Sequence, residues 1–226
     1  ETAWFLQCVL PAGKPVVLTC AMRPASALSA DGPANLRDAL ACAADGGALA
    51  WAQAGQPVLV VAAGEVHSAA AVRKAHAYQV HALSSAPAGP VAWVEEGRLR
   101  WAQRLPQQVV VKNAVPLPPL PWPWVEVVTS HAGARAEGVD ALVAAGVRGL
   151  VVAGTGNGSV HAAWLPALQR ARAAGVPIVR TTRCAEGRIV QAPGQDDAEV
   201  VDLPPLKARI SLMLRCMSPS VPRPSP

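Results

Sequence analysis

Short apolar runs recur along this chain, and most of them are followed by a stretch with helical spacing. The runs are KPVVLTCA, QPVLVVAA, WVEVVTS, RGLVVAG and VPIVRTT. An uninterrupted apolar run of this length is typical of a strand that is buried on both faces of a sheet. The segment GPANLRDALACAA has helical spacing instead, with Leu36, Leu40 and Ala43 on one face. Strands that alternate with helices predict an α/β fold with parallel sheets wound by helices.

A proline-rich stretch divides this pattern into two parts. Its sequence, LPQQVVVKNAVPLPPLPWPW, excludes a helix or a central strand over most of its length. We interpret it as an extended linker between two domains. The predicted limits are a first domain at 1–104, the linker at 105–124, a second domain at 125–217 and a disordered tail at 218–226. Within the first domain, PVAWVEEGRLRWAQ predicts a hairpin that turns at Glu96-Gly97.

The chain opens in the middle of a pattern. ETAWFLQCVL has the spacing of an amphipathic helix, without a capping residue or a methionine in front of it. We therefore expect the first domain to be truncated at its N-terminus. Any targeting signal would lie in the missing part, so the compartment stays open between cytoplasm and periplasm, with the cytoplasm preferred.

The distribution of charged residues and the length of the apolar stretches indicate whether the chain binds nucleic acid or a membrane. The formal net charge is +5, but lysines and arginines are spread singly, without a basic run or interleaved aromatic residues. This favours a solvated surface over nucleic-acid binding. No apolar stretch approaches the roughly 20 residues of a membrane helix, so no membrane partner is expected.

The cysteines and histidines predict neither a metal site nor a disulfide framework. The cysteine count is odd and no pair has CxxC spacing, which favours a reducing compartment. Cys8, Cys20 and Cys42 lie in apolar stretches and are interpreted as small buried residues. The histidines have no convincing metal-ligand spacing, and we expect them on the surface or in loops; they are His67, His76, His81, His131 and His161.

A glycine turn, GTGNGS, follows the apolar run RGLVVAG. It could hold a nucleotide phosphate, hold a small anionic substrate, or serve only as a tight strand-to-helix bend. The third glycine of G-x-G-x-x-G is missing, and no P-loop lysine follows. The nucleotide hypothesis is therefore disfavoured, while a turn that needs positive φ explains the glycines without any ligand.

Several blocks of the sequence, in the right order, resemble bacterial L-asparaginases. The most specific is CAMRPASALSADGPANL, which is similar to the family's Gly-Ala-Met-Arg-Pro … Ser-Ala-Asp-Gly-Pro-x-Asn-Leu. VLVVAAGEVHSAAAVRKAH resembles the strand and loop of the family's catalytic lysine. AGTGNGSVHAAWLPALQRARAAGVPIVRTTR resembles its second domain, and LPPLKARISLML its last helix. The resemblance covers roughly residues 1–217.

Two family motifs do not occur in these 226 residues. In the family, two threonines share the catalysis, one in Thr-Gly-Gly-Thr and one in Gly-Thr-Asp-Thr. The aspartate of the second motif binds the ammonium of the substrate. ETAWFL resembles the helix just after that second motif, so the resemblance implies an asparaginase without its N-terminal segment.

The resemblance places the family's catalytic lysine on Lys74. A partly desolvated lysine near an aspartate can have a pKa close to neutrality and can activate a hydroxyl or a water. Composition alone would make Lys74 an exposed loop residue. The surrounding departures are Ala63, Gly64, Ala70 and Ala75, where the family often has polar residues.

The resemblance also implies a substrate contact at Ala21. In the family, the backbone carbonyl of the matching alanine accepts a hydrogen bond from the substrate's side-chain amide. Without the resemblance, CAMRP is a strand end with Arg23 holding the turn. Asp31 and Asn35 are interpreted as structural, with Asp31 as a candidate N-cap before Gly32-Pro33.

In the family, the glycine turn reaches into the active site of a neighbouring subunit. An asparagine after Gly-Asn-Gly contacts the bound amino acid there, and that position is Ser159 in this chain. A serine hydroxyl can still donate and accept, with a shorter reach. A later acidic contact falls by count on Gly194, and Asp196, Asp197 and Glu199 stay unassigned.

The activity implied by the resemblance is the hydrolysis of L-asparagine to L-aspartate and ammonia through a threonine acyl-enzyme. It requires no cofactor, and the family forms homodimers that assemble into tetramers. Two alternatives stay open: a glutaminase-asparaginase with broader specificity, and a non-catalytic remnant that binds an amino acid or oligomerises. Because both threonine motifs are absent, the 226-residue chain is predicted to be inactive by itself.

Overall fold

The chain divides into two compact units, an N-terminal unit at Thr2–Pro116 and a C-terminal unit at Leu117–Pro226, which also includes Glu1. The computed structural model describes residues 1–105, 117–191 and 199–217. Both units combine helices with strands, which confirms the predicted α/β class.

The predicted linker and tail fall largely outside this description. Residues 106–116 and 218–226 lie outside the described residues. The described part of the predicted linker, 117–124, forms neither helix nor strand. The domain limits derived from the sequence stay a prediction.

The sheet of the N-terminal unit has five strands. They are β1 (Val16–Thr19), β2 (Val58–Ala62), β3 (Glu65–Ser68), β6 (Ala92–Glu95) and β7 (Arg98–Trp101), and a separate pair is formed by β4 (Arg73–Lys74) and β5 (Leu83–Ser84). The spatial order is β1-β2-β3-β6-β7. β1 and β2 run parallel, whereas each later neighbour is antiparallel.

Two tight hairpins explain why this sheet is mixed rather than wholly parallel. The β2–β3 turn has positive φ at Ala63 (51°) and Gly64 (76°), and the β6–β7 turn has it at Glu96 (49°) and Gly97 (74°). Positive φ at both central residues is the geometry of a type I′ turn, which matches the twist of paired strands. The turn at Glu96-Gly97 confirms the predicted hairpin, while the β2–β3 hairpin was not predicted.

Strand β2 is buried on both faces, as its unbroken apolar run predicts. Leu59 and Val61 belong to one hydrophobic cluster, and Val58 and Val60 belong to another. Side chains alternate between the faces of a strand, so each cluster lies on its own side of the sheet.

The described residues of the N-terminal unit also form three helices: α1 (Thr2–Val9), α2 (Gly32–Ala44) and α3 (Gly46–Gln53). The apolar side of α2 is not the side that packs on the sheet. Leu36 is 55% exposed and Leu40 is 64% exposed. The buried residues of α2 are Asn35, Asp38, Ala39 and Cys42. Asn35 lies on this buried side, and its side chain reaches the backbone just after β1 and β2.

The C-terminal unit contains a parallel sheet wound by helices, as predicted. Its strands are β8 (Val125–Thr129), β9 (Gly149–Gly154), β10 (Ile178–Thr182) and β11 (Glu199–Val200), in the order β11-β10-β9-β8. Its helices are α4 (Glu137–Ala144), α5 (Leu165–Ala173) and α6 (Pro205–Cys216). Leu150 and Val152 of β9 pack in one cluster with residues of α4 and α5. A methyl group added at Gly149 would meet Leu212 of α6 at 2.9 Å, so α6 lies close against β9.

The helices of the described residues are also short. None of them has the length and apolarity that would let it cross a membrane.

Candidate active site

The chain leaves β1 at a short exposed segment that contains Ala21. Both Cys20 and Ala21 are exposed. Within the described residues, no hydrogen bond has the carbonyl oxygen of Ala21 as its acceptor. This carbonyl is therefore an accessible acceptor at the carboxyl end of a parallel strand, which is where α/β sheets bind ligands.

Asp31 stabilises this segment rather than capping α2. Met22 N–H donates to the two Asp31 carboxylate oxygens at 2.9 and 3.1 Å, and Arg23 N–H donates to Oδ1 at 2.9 Å. Asp31 occupies the N-cap position, but its side chain makes no capping hydrogen bond. The predicted N-cap position is therefore confirmed, but the carboxylate binds backbone donors across the loop instead of the first N–H groups of the helix. The Met22 and Arg23 N–H groups hold the pKa of Asp31 below its ordinary value, against the effect of burial.

Asn35 joins the ends of β1 and β2. Its Nδ2 donates to the Cys20 carbonyl at 2.8 Å and to Asp31 Oδ2 at 3.1 Å, and its Oδ1 accepts from Ala63 N–H at 2.9 Å. The side chain is buried, with 3% of the residue exposed. A buried amide with both ends hydrogen-bonded stabilises the two strand ends against each other.

Lys74 lies on the β4–β5 pair, where it is opposite Leu83. The residue is exposed. No carboxylate among the described residues lies within 4.0 Å of its ammonium. His76 orders the loop after it, because Nδ1 accepts from Tyr78 N–H and Gln79 N–H at 3.0 Å each.

Lys74 and Ala21 belong to the same unit but to different segments. The segment of Lys74 follows β3, whose last residue, Ser68, pairs with Leu59 near the start of β2. Ala21 follows β1, whose last residue, Thr19, pairs with Val61 near the end of β2. The side chains that bond to the backbone on either side of Ala21 are those of Asp31 and Asn35, and neither belongs to the segment of Lys74. The described contacts therefore hold Lys74 and Ala21 through different segments.

The glycine turn is a tight loop closed by its own backbone. Thr155 and Ser159 exchange two backbone hydrogen bonds of 2.8 Å each. A Cβ added at Gly154 would lie 2.6 Å from the carbonyl carbon of Gly158, and Gly158 itself has a φ of +80°. Close packing and positive φ thus explain both glycines, as the bend hypothesis predicts. Ser159 is exposed at the end of this loop.

A side chain of β10 and the backbone of the segment after it stabilise the turn. Thr182 Oγ1 donates to the Gly156 carbonyl at 2.6 Å. The Asn157 side chain donates to the Val190 carbonyl at 2.8 Å and accepts from Val190 N–H at 2.7 Å. The loop that presents Ser159 is therefore held from two sides. The positions considered for a later acidic contact, 194, 196 and 197, lie outside the described residues.

His67 is buried, which corrects the expectation of a surface or loop histidine. It lies in β3 and only 1% of the residue is exposed. Its Nδ1 is 2.8 Å from Ser85 Oγ, and its Nε2 is 3.5 Å from Glu65 Oε2. Burial lowers the pKa of His67 from 6.5 to about 4. The alternation in EVHS would place His67 beside Glu65, on the face opposite Val66, so the local pattern did not signal its burial; His67 pairs with Val60 of β2, which is buried on both faces.

The cysteines differ in exposure, and the described residues contain no metal-binding cluster of His, Cys, Asp and Glu. Cys42 is buried as expected, but Cys8 is half-buried and Cys20 is exposed. Cys20 lies just beyond β1, which ends at Thr19, and is not covered by the sheet.

Comparison with known proteins gives matches over both units. The family model "Asparaginase, N-terminal" matches residues 1–107, and the model "Glutaminase/Asparaginase C-terminal domain" matches residues 124–220.

Curated relatives and a solved structure agree with these matches. The chain is 34% identical to the probable periplasmic L-asparaginase of Haemophilus influenzae, over 95% of this chain and 62% of the relative. It is 36% identical to the glutaminase-asparaginase of Pseudomonas fluorescens biotype A, over 95% of this chain and 59% of the relative. The crystal structure of a probable cytoplasmic L-asparaginase from Campylobacter jejuni matches with a TM-score of 0.82 and 30% identity, over 96% of this chain and 69% of that chain. The chain thus spans about six tenths of the length of these curated relatives.

Proposed function

The chain belongs to the asparaginase/glutaminase family, and from this premise we propose that its residues form part of an active site that hydrolyses L-asparagine to L-aspartate and ammonia. The observation that carries the proposal is the accessible carbonyl of Ala21 at the end of β1. A backbone carbonyl accepts but does not donate, so it suits the N–H groups of a carboxamide.

Lys74 is proposed as the base. Its exposed ammonium is on a hairpin strand, where a substrate and a further segment of protein could cover it. Desolvation of this kind lowers the pKa of a lysine and makes it a better base. In this role, Lys74 accepts the proton of a threonine hydroxyl or of the attacking water.

The nucleophile is proposed to be a threonine that these 226 residues do not supply. Neither Thr-Gly-Gly-Thr nor Gly-Thr-Asp-Thr occurs among them. A threonine oxygen would attack the side-chain carbonyl of asparagine, release ammonia and form an acyl-enzyme, which water then hydrolyses. Backbone N–H groups would stabilise the oxyanion. No cofactor takes part in this scheme.

The 226-residue polypeptide by itself is therefore proposed to release ammonia from asparagine at a negligible rate. Removing the nucleophile from groups that act as a unit costs orders of magnitude in rate, because the base has nothing to activate. The measurement is ammonia release by the purified chain, compared with that of an intact asparaginase. A comparable rate would mean that another residue of this chain is the nucleophile.

Complementation provides the positive test. A separately expressed N-terminal segment of a relative, with both threonine motifs, is added to the chain, and ammonia release is expected to rise. Lys74→Ala should abolish this gain. Lys14→Ala is the matched control, since Lys14 is also an exposed lysine of the same unit. Equal activity of the two variants would remove Lys74 from the mechanism.

Ser159 is proposed to contact the substrate of a neighbouring subunit in a homo-oligomer. Its support is the exposed position of Ser159 at the end of a loop held by Thr182 and Val190. A rigid exposed loop can present a hydroxyl across an interface with little further loss of conformational freedom.

Glutamine is the alternative substrate, because a relative named glutaminase-asparaginase is as similar as the relatives named L-asparaginase. The ratio of ammonia release from asparagine and from glutamine, in the complemented protein, distinguishes the two activities. A chain that binds asparagine but gains no activity on complementation would instead be the non-catalytic remnant.

A further inference from the structure

We propose that Asp31 and Asn35 are positioning residues that aim the Ala21 carbonyl at the carboxamide of the substrate. This inference rests on the proposed function, since it concerns the same acceptor. It assigns to the Asp31 and Asn35 side chains a role in substrate recognition beyond the stability of the strand end.

The first step concerns the peptide unit between Ala21 and Met22. Its N–H is held by the Asp31 carboxylate at 2.9 and 3.1 Å. In a planar trans peptide, the N–H and the C=O point in opposite directions. The Ala21 carbonyl therefore points away from Asp31.

The second step concerns the peptide unit between Cys20 and Ala21. Its carbonyl accepts from Asn35 Nδ2 at 2.8 Å. The two backbone torsions of Ala21 are the only soft rotations between these two peptide planes. Because each plane is held by a side chain of the same short segment, both torsions of Ala21 are fixed.

The third step concerns the support behind these two side chains. Asn35 Nδ2 also donates to Asp31 Oδ2 at 3.1 Å, and Asn35 Oδ1 accepts from Ala63 N–H at 2.9 Å. Asp31 is 9% exposed and Asn35 is 3% exposed. A buried, mutually bonded pair fixed to the end of β2 is a rigid base for a binding group.

The fourth step concerns selectivity. The Asp31 carboxylate already accepts three hydrogen bonds from backbone N–H groups, while the Ala21 carbonyl accepts none within the described residues. An aimed carbonyl oxygen attracts the NH2 of a carboxamide and repels the oxygens of a carboxylate. The pair would therefore favour the amide substrate over the acid product.

The test uses one resolved NMR signal. Methionine occurs at positions 22, 213 and 217, and only Met22 follows an alanine. Labelling alanine carbonyls with 13C and methionine amides with 15N thus gives a single carbonyl-amide correlation from Ala21 and Met22. Its amide proton reports the bond to Asp31, and its carbonyl carbon reports a bond to a ligand.

Asp31→Asn is the main variant, and Asp38→Asn is its matched control. Asp38 is a buried carboxylate within α2, the helix that Asp31 precedes, and its side chain accepts from Arg37. We expect Asp31→Asn, but not Asp38→Asn, to shift the Met22 amide proton upfield and to speed its hydrogen exchange by about tenfold or more. An unchanged Met22 signal in Asp31→Asn overturns the inference without any ligand.

The second measurement is a titration with L-asparagine and with L-aspartate, up to about 100 mM because a single contact binds weakly. In the wild type, asparagine should move the Ala21 carbonyl signal and aspartate should not. For Asp31→Asn, the asparagine concentration at the midpoint of the titration should be about fivefold higher than for the wild type, or more. An equal midpoint overturns the positioning role alone.

A wild-type carbonyl signal that asparagine does not move overturns the substrate contact, and with it the inference. This failure of the substrate contact can be told apart from an error in the described geometry, because the Met22 amide would still respond to Asp31→Asn. If Asp31→Asn does not fold, Asn35→Asp, which keeps an acceptor for Ala63 but loses the donor to Cys20, is measured in the same way. Hydrogen exchange at Met22 in the wild type needs no variant, and an unprotected amide there would contradict the geometry.

Discussion

At the scale of single residues, this chain buries several polar side chains that are hydrogen-bonded to distant parts of the sequence. Asp31 and Asn35 bind the backbone after β1, and His67 binds Ser85. Burying a polar group costs free energy unless it is hydrogen-bonded. These residues therefore constrain the backbone next to them more strongly than an apolar residue of equal size would.

His67 should make the stability of the N-terminal unit depend on pH. Burial lowers its folded-state pKa from 6.5 to about 4, although Glu65 Oε2 lies 3.5 Å from Nε2. Above pH 6.5 the histidine is neutral in both states and its contribution is fully present. As the pH falls from 6.5 to about 4, only the unfolded state takes up the proton, so stability is lost, by at most about 3 kcal/mol.

The measurement is the free energy of unfolding in urea at several pH values between 7 and 4, for the wild type and His67→Gln. Glutamine keeps a hydrogen-bonding group toward Ser85 but does not titrate in this range. The difference between the two proteins should shrink as the pH falls. A constant difference would show that His67 is protonated at the same pH in both states.

At the scale of elements, helix α2 presents a polar and small-residue side to the sheet. Asn35, Asp38, Ala39 and Cys42 are buried there. Small residues let the helix approach the sheet, and Asn35 then reaches both strand ends. The leucines on the opposite side, Leu36 and Leu40, are left exposed.

This orientation predicts opposite effects for neighbouring positions of α2. Asn35→Leu should lower the free energy of unfolding by about 2–4 kcal/mol, because the Cys20 carbonyl and Ala63 N–H lose their partner. Leu40→Gln should change it by less than about 0.5 kcal/mol, since Leu40 is exposed. Urea denaturation followed by circular dichroism, at low protein concentration, compares the two. A larger loss for Leu40→Gln would mean that the leucine side of α2 faces the core.

At the scale of the whole molecule, each unit has its own hydrophobic cluster and its own sheet. In the N-terminal unit, β1 is at the edge of the sheet and pairs with β2 alone among the described strands. An edge strand has backbone groups that can pair with another polypeptide. In the C-terminal unit, the exposed loop of Ser159 is the surface that we propose for association.

Self-association is the prediction at this scale. We expect multi-angle light scattering to show dimers or larger oligomers at high micromolar concentration. Ser159→Arg should weaken association by about tenfold or more, because a long charged side chain is costly to desolvate at a contact. Ala174→Arg, at an exposed position after α5, is the control. A strictly monomeric wild type, or equal effects of the two variants, would contradict this role of the glycine turn.

Much of the architecture could be predicted from the sequence because it depends on local patterns. Continuous apolar runs indicate β2 and β9, and the segment PVAWVEEGRLRWAQ predicts the hairpin at Glu96-Gly97. The structure has positive φ at both of these residues, as such a hairpin requires. The mixed character of the first sheet was missed, since Ala63-Gly64 is a weaker turn signal than the Asn-Gly or Asp-Gly pairs that usually form such turns.

The candidate residues were identified by resemblance, and their surroundings depend on segments far apart in the chain. Local sequence made Asp31 a helix cap, because an acidic residue before Gly-Pro is typical of one. In the structure, the Asp31 carboxylate accepts from the N–H groups of Met22 and Arg23, just after β1, and not from the first N–H groups of the helix. Likewise, the apolar spacing of α2 indicates a helix but did not reveal which side packs on the sheet, since that depends on Asn35 reaching Ala63.

The sequence by itself thus determined the α/β class, most of the helices and strands, and the family blocks that include Ala21, Lys74 and Ser159. Periodicity and turn chemistry act over a few residues, so a linear pattern is enough to reveal them. The tertiary structure alone decided the partners of Asp31 and Asn35, the burial of His67 and the exposure of Leu36 and Leu40. Those properties depend on which distant backbone groups are left without a partner once the strands have paired, because a buried polar group is stable only beside a partner.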